Sequence, residues 1–195
     1  MIEVRPLARD EVAARLDEIA GLRIAVFREW PYLYDGDLDY ERRYLRPYVE
    51  SEAALVVGAL DDGRLIGVSN ATPMEDHAGD FAAAFAGRPE PLDTIFYGAE
   101  SLLLPEWRGR GIGQRFFDLR EARARALGRR HVAFCSVVRP EDHPARPPGS
   151  RGNAAFWTRR GYAPLPGVIA HFRWRDLGEA AESDHPLQFW MRTLP

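Results

Sequence analysis

From Thr94 to Gly128 the chain reads TIFYGAESLLLPEWRGRGIGQRFFDLREARARALG: an apolar run, a turn containing Gly109, Gly111 and Gly113, then a helix-forming stretch. A strand that enters such a turn ahead of a helix leaves several backbone N–H groups unpaired at the positive end of the helix dipole, directed at one place. That place suits a phosphate. A Walker loop needs a lysine after its last glycine, and all 26 basic residues here are arginines. The dinucleotide fingerprint G-x-G-x-x-G also fails, because Gly109 to Gly113 has G-x-G-x-G spacing and the strand before it does not open the chain.

What remains is Arg108-Gly109-Arg110-Gly111-Ile112-Gly113, which fits the pattern Q/R-x-x-G-x-G/A. On these residues the sequence resembles the GNAT superfamily, the acyl-CoA-dependent N-acetyltransferases. The resemblance implies that the loop from Arg108 to Gly113 cradles the pyrophosphate of coenzyme A and that acetyl-CoA is the acyl donor. It also implies that the backbone of Ser101, Leu102 and Leu103 pairs with the pantetheine amides, leaving one N–H to polarise the thioester. A second, weaker motif runs from Asn153 to Tyr162. The resemblance puts Asn153, Phe156 and Trp157 on the cofactor side, with the two aromatic rings against the pantetheine arm or in the core.

Acetyl transfer to an amine needs the thioester held, its carbonyl polarised, the amine made neutral and the departing thiolate stabilised. An amine with a pKa of about 10 must lose a proton at neutral pH. Glu100, on the same strand and among apolar neighbours, is the expected base; Tyr97 and His143 are the alternatives. Many relatives carry a tyrosine four residues before the glycine of the second motif, next to the thiolate. Here that position holds Trp157, whose indole cannot release its proton. Tyr162, Cys135 or bulk water then protonates the thiolate, or none does, since a coenzyme A thiol is acidic enough to leave unaided. The crowded segment around Glu29, Trp30, Tyr32 and Tyr34 is expected to form part of the acceptor pocket, because the corresponding segment covers the substrate end of the cleft in proteins of this family. The same aromatic residues could equally fill a gap between two helices.

The elements that must position these residues follow in order. Ile2 to Leu7 reads as a strand, and a helix begins at Glu11 after Asp10. In it Val12, Leu16, Ile19, Leu22 or Arg23, Val26 and Phe27 make one apolar face. A second helix spans Tyr40 to Tyr48. Ala54 to Leu60 and Arg64 to Thr72 form a hairpin about Asp61-Asp62-Gly63. The stretch from Pro73 to Asp93, with a short helix at Phe81 to Phe85, reads as surface decoration rather than a lid. Thr94 to Leu104 is a strand and Ile112 to Leu127 a helix whose arginines read as a solvated face. Val132 to Val138 is a strand, and Arg139 to Gly149 a loop. A helix then ends at Gly161, whose position suits a C′ glycine. Two strands, Tyr162 to Asp176 and Leu187 to Thr193, close the chain. This order resembles the GNAT fold over residues 1–195 as a single N-acetyltransferase domain. The implied class is α/β (α+β), a central mixed, mostly antiparallel sheet with a V-shaped split between strands 4 and 5.

The chain has 195 residues, 46% hydrophobic and 28% charged, with a net charge of −3, the composition of an ordinary globular domain. The acidic balance argues against nucleic acid as a partner. No apolar run reaches membrane-spanning length. The histidines show no zinc spacing, so no metal is expected. One cysteine, Cys135, permits no internal disulfide and points to the cytoplasm. The terminal strands could pair across a homodimer. The leading expectation is an N-acetyltransferase acting on a small-molecule or peptide amine by direct attack in a ternary complex, with Glu29, Asp35 and Asp37 favouring a cationic acceptor. The rival is a non-catalytic acyl-CoA-sensing module; a nucleotide-binding protein is a third reading.

Overall fold

The computed structural model describes residues 1–195. Its elements are β1 (Ile2–Pro6), α1 (Arg9–Ala14), α2 (Leu16–Phe27), α3 (Leu38–Glu50), β2 (Leu55–Asp61), β3 (Arg64–Pro73), α4 (Ala78–Phe81), β4 (Ile95–Leu103), α5 (Ile112–Ala126), β5 (His131–Val137), α6 (Ala154–Arg159), β6 (Ala163–Trp174) and β7 (Ser183–Thr193). The strands make one seven-stranded sheet in the order β1-β2-β3-β4-β5-β7-β6. Every pairing is antiparallel except β4 with β5.

Alternation along the strands sends side chains to two faces. On one face α5 and α6 cover the sheet, with Ile112, Phe116, Phe117 and Ala124 against Val57, Ile66, Phe96 and Val132. On the other, α1 to α3 lie over β1 to β4, with Ile19, Leu22, Leu45 and Tyr48 meeting Val56, Leu60, Val68 and Leu102. The α4 region covers the rest of that face, where Met74, Phe81 and Phe85 pack on Tyr97, Leu187 and Phe189.

Three expectations are corrected. The helix expected from Glu11 to Phe27 is two helices parted at Arg15, whose φ of −102° and ψ of 13° leave the helical range. The stretch from Pro73 to Asp93 is not decoration: Phe81 is 1% exposed and stands edge-on to Phe189 at 5.1 Å, so this segment closes one of the core clusters. The arginines of α5 are not all solvated, since Arg120 is buried. It falls on the four-residue repeat Ile112, Phe116, Arg120, Ala124, which is the buried stripe of the helix.

The split follows from the register. β4 and β5 pair only through Ile95, Phe96 and Tyr97 with His131, Val132 and Ala133. Beyond that point β4 continues to Leu103 bonded only to β3, and β5 to Val137 bonded only to β7. A register shift opposite Asn70 and Ala71 leaves Ala99 as an extra residue in β4, and such a bulge bends and twists its strand away from the neighbour.

Candidate active site

The loop between β4 and α5 is an array of free donors. Arg108 N–H bonds to the Pro105 carbonyl and Arg115 N–H to the Gly111 carbonyl, but none of the N–H groups from Gly109 through Gln114 donates to another protein atom. Gly109 and Gly111 take φ values of 77° and 80°. This is the left-handed region, where a side chain costs about 1–2 kcal/mol. No side chain caps α5, so its positive end is open to an anion. The Arg110 guanidinium lies over the Trp107 ring at 4.7 Å and adds positive charge beside the loop. Arg108 turns instead to the Leu103 carbonyl at 3.1 Å and the Glu29 carboxylate at 2.9 Å.

The strand leading into this loop exposes an edge. The Ser69 hydroxyl reaches the Glu100 carbonyl from β3 at 2.9 Å, so that carbonyl lies on the β3 side of β4. In a planar trans peptide the N–H at the other end, that of Ser101, is directed the opposite way, toward the split. Alternation then sends the backbone groups of Leu102 to β3 and those of Leu103 to the split. Two bonds agree with this: Arg108 takes the Leu103 carbonyl, and Leu104 N–H bonds the Ile66 carbonyl on β3.

The side chains expected to move protons are held differently from one another. Glu100 is buried on the α2 side, where Arg23 pairs with one carboxylate oxygen and the Asn70 amide donates to the other. Arg23 also pairs with the fully buried Glu41. Tyr162, named above as a candidate acid, points into the core. Its ring is 2% exposed, packed edge-on to Phe117 at 5.4 Å, and its hydroxyl donates to Glu121 at 3.1 Å. Burial pushes that phenol up, and its position next to the glycine ending α6 is in the core. Tyr97 bonds Cys135 Sγ at 3.3 Å, and burial pushes the Cys135 thiol up to about 12. His143 accepts the Ala145 N–H at Nδ1 and lies 5.2 Å from the Trp30 ring.

The segment from Glu29 to Tyr34, expected to line the acceptor pocket, is pinned in place. Arg139 donates to the Pro31 and Tyr32 carbonyls and grips Asp176 through both carboxylate oxygens, at 2.6 and 2.8 Å. Tyr32 packs between Phe27 at 4.5 Å and Trp174 at 5.9 Å, and Tyr34 bridges to Asp176. The acidic hint fades, since Glu29 pairs with Arg108, Asp35 with Arg175, and Asp37 caps α3.

The Acetyltransferase (GNAT) family model matches residues 25–162, from within α2 through the loop to Tyr162. The chain belongs to the GNAT family. Among solved structures it is similar to a ribosomal-protein-alanine N-acetyltransferase from Brucella melitensis, with a TM-score of 0.62 and 14% identity over 98% of this chain and 99% of that one. It is similar to a polyamine N-acetyltransferase from Drosophila melanogaster, with a TM-score of 0.62 and 15% identity over 100% of both chains. A third likeness is to YncA from Salmonella typhimurium with its cofactor acetyl-CoA, with a TM-score of 0.60 and 13% identity over 100% of this chain and 95% of that one. At such identities the likeness shows the fold. No curated protein sequence matches the chain.

Within this GNAT domain Asn153 opens α6, its carbonyl accepting the N–H groups of Phe156 and Trp157. Phe156 stands edge-on to Phe117 at 5.3 Å, and Trp157 edge-on to Phe134 at 4.9 Å and Trp190 at 5.1 Å; both keep some exposure. The second motif therefore packs α6 onto the sheet. The buried polar residues behind the split, Arg23, Ser69, Asn70 and Arg120, are not marked as functional by residue type. Their signal is placement: Arg23 and Arg120 sit at apolar positions of their helices.

Proposed function

We propose that this GNAT protein is an acetyl-CoA-dependent N-acetyltransferase that delivers an acetyl group to an amine of a small molecule or peptide, by direct attack with donor and acceptor bound together. The observation that carries this reading is the run of unpartnered N–H groups from Gly109 through Gln114, set beside a strand edge with no neighbour. Buried or structural loops pair their amides; an array left free at a helix start suits a diphosphate. In this reading the loop amides and Arg110 hold the diphosphate, and the edge at Ser101 and Leu103 takes the pantetheine amides. Phe156 and Trp157 flank the arm. The donor, when bound, supplies a thioester acyl group.

The chain's own residues then do three things. Ser101 N–H is aimed at the position of the acyl oxygen, where a fixed donor is worth about 10²–10³ in rate. Glu100, the single carboxylate on β4 beyond the pairing with β5, takes the amine proton through water. A carboxylate has about four acceptor sites, so the contacts to Arg23 and Asn70 leave acceptor capacity unused. No side chain protonates the thiol, since Trp157 lacks an acidic proton and Tyr162 faces Glu121.

The acceptor enters beside Glu29, Trp30, Tyr32 and Tyr34. Glu29 and Asp35 are already paired with arginines and Asp37 caps α3, so charge alone does not select it. A single unpaired, buried cysteine fits a reducing cytoplasm. The rival reading, an acyl-CoA sensor without turnover, is favoured by the missing acid at Trp157. Free-thiol release from acetyl-CoA across a panel of amines separates the two. Release with at least one amine supports the transferase, whereas CoA binding without release from any amine supports the sensor.

A further inference from the structure

Behind the exposed edge of β4 lies a buried cation that no step above uses. Arg120 of α5 is 2% exposed and directs its Nη2 at the Ser69 hydroxyl at 2.6 Å, at the Ser101 hydroxyl, and at the Glu100 main-chain carbonyl at 3.1 Å. It makes no ion pair. Its neighbour Glu121 is engaged by Arg160, Arg192 and Tyr162, and the Glu100 carboxylate lies across the strand with Arg23. Buried Arg23 has both Glu41 and Glu100 as charge partners, whereas Arg120 hydrogen-bonds only neutral oxygens and its Nε has no partner. Gly98 opens the space, because a Cβ there would overlap the guanidinium. A buried charge without a carboxylate partner is costly, and a long apolar side chain would fill the same space at less cost.

We propose that Arg120 is a positioning residue that polarises the Glu100–Ser101 peptide, so that Ser101 N–H becomes a stronger donor to the acyl carbonyl. Chains of hydrogen bonds strengthen one another by about 10–30% per bond. Applied to a donor worth about 10²–10³ in rate, that is roughly a 2- to 8-fold gain in kcat. The proposal deepens the transferase reading and rests on it.

The test uses R120K, which keeps the charge but loses the fork, and G98A, which displaces the guanidinium while keeping it. Three readouts apply: the Ser101 amide 15N resonance without ligand, the infrared band of bound acetyl-CoA labelled at the 13C acetyl carbonyl, and steady-state kinetics. The expected result is an altered Ser101 resonance, a carbonyl band shifted back toward its solution position, and kcat lowered roughly 2- to 8-fold at unchanged KM for acetyl-CoA. If wild-type protein binds no acetyl-CoA, the transferase reading fails and takes this one with it. If it binds and the carbonyl band is the same in wild type and in both folded variants, the role of Arg120 alone is overturned. Should R120K unfold, G98A decides by the same band.

Discussion

Replacing Gly113 with alanine separates the role of the loop in the fold from its role in binding. Gly113 stands in the first turn of α5 without a positive φ, and a Cβ built there meets nothing within 4 Å. Alanine is favoured over glycine in helices by roughly 0.5–1 kcal/mol, so the unliganded protein gains stability. For a domain of this size each kcal/mol moves Tm by about 2–4 °C, giving a rise of roughly 1–4 °C. The added Cβ tilts toward the helix N-terminus, into the space before the free amides. If a diphosphate belongs there, at least one charge-assisted hydrogen bond is lost, about 1.5–3 kcal/mol, or about 10- to 150-fold in Kd. Thermal melts without ligand and calorimetric titration with CoA measure the two effects on the same preparation. A rise in Tm with unchanged CoA affinity would refute the cradle, because the substituent would then stand in empty solvent.

Other outcomes follow from the same structure. Glu100→Gln is expected to flatten the acidic limb of the kcat/KM profile and to lower stability, since Arg23 keeps only Glu41 as a full charge partner; an unchanged profile in a folded variant assigns Glu100 to structure alone. Tyr162→Phe is expected to cost about 1 kcal/mol of stability, the worth of a hydrogen bond, in urea unfolding, with kcat preserved; a collapse of kcat would restore it as an acid. Burial lowers His77, His131 and His185 below the ordinary histidine value. The unfolded chain therefore takes up protons below about pH 6.5 that the fold refuses. Stability should fall from pH 7 to pH 5.5, before carboxylates titrate. Burial opposes ionisation of Asp176, but its pair with Arg139 wins and holds it low, so its contribution is lost only below about pH 4. A urea midpoint constant between pH 7 and pH 5.5 would contradict the histidine assignment.

Strand and helix order is legible in the sequence wherever periodicity and turn residues act locally. The Asp61-Asp62-Gly63 turn and the glycines before Ile112 define their elements without tertiary help. Buried charge was not legible in the same way. Arg120 belongs to a helix rich in charged residues, and only its place on the apolar repeat distinguishes it from solvated neighbours; Arg23 is the single basic residue of the mostly apolar α2. Phe81 and Phe85 sit in a polar stretch too short for a periodic signal, so their burial against Phe189 is set by the far end of the chain. Tyr162 shows a related effect: its phenol suggests chemistry, but its location beside the α6 terminus turns it inward to Glu121.

The proposed cofactor grip rests on the main-chain donors between β4 and α5, and amide resonances report on them directly. Titration of 15N-labelled protein with CoA, and separately with pantetheine, which lacks the diphosphate, is predicted to shift the signals of Gly109 through Gln114 with CoA alone. CoA binding that leaves those signals in place, or equal shifts with pantetheine, would contradict it.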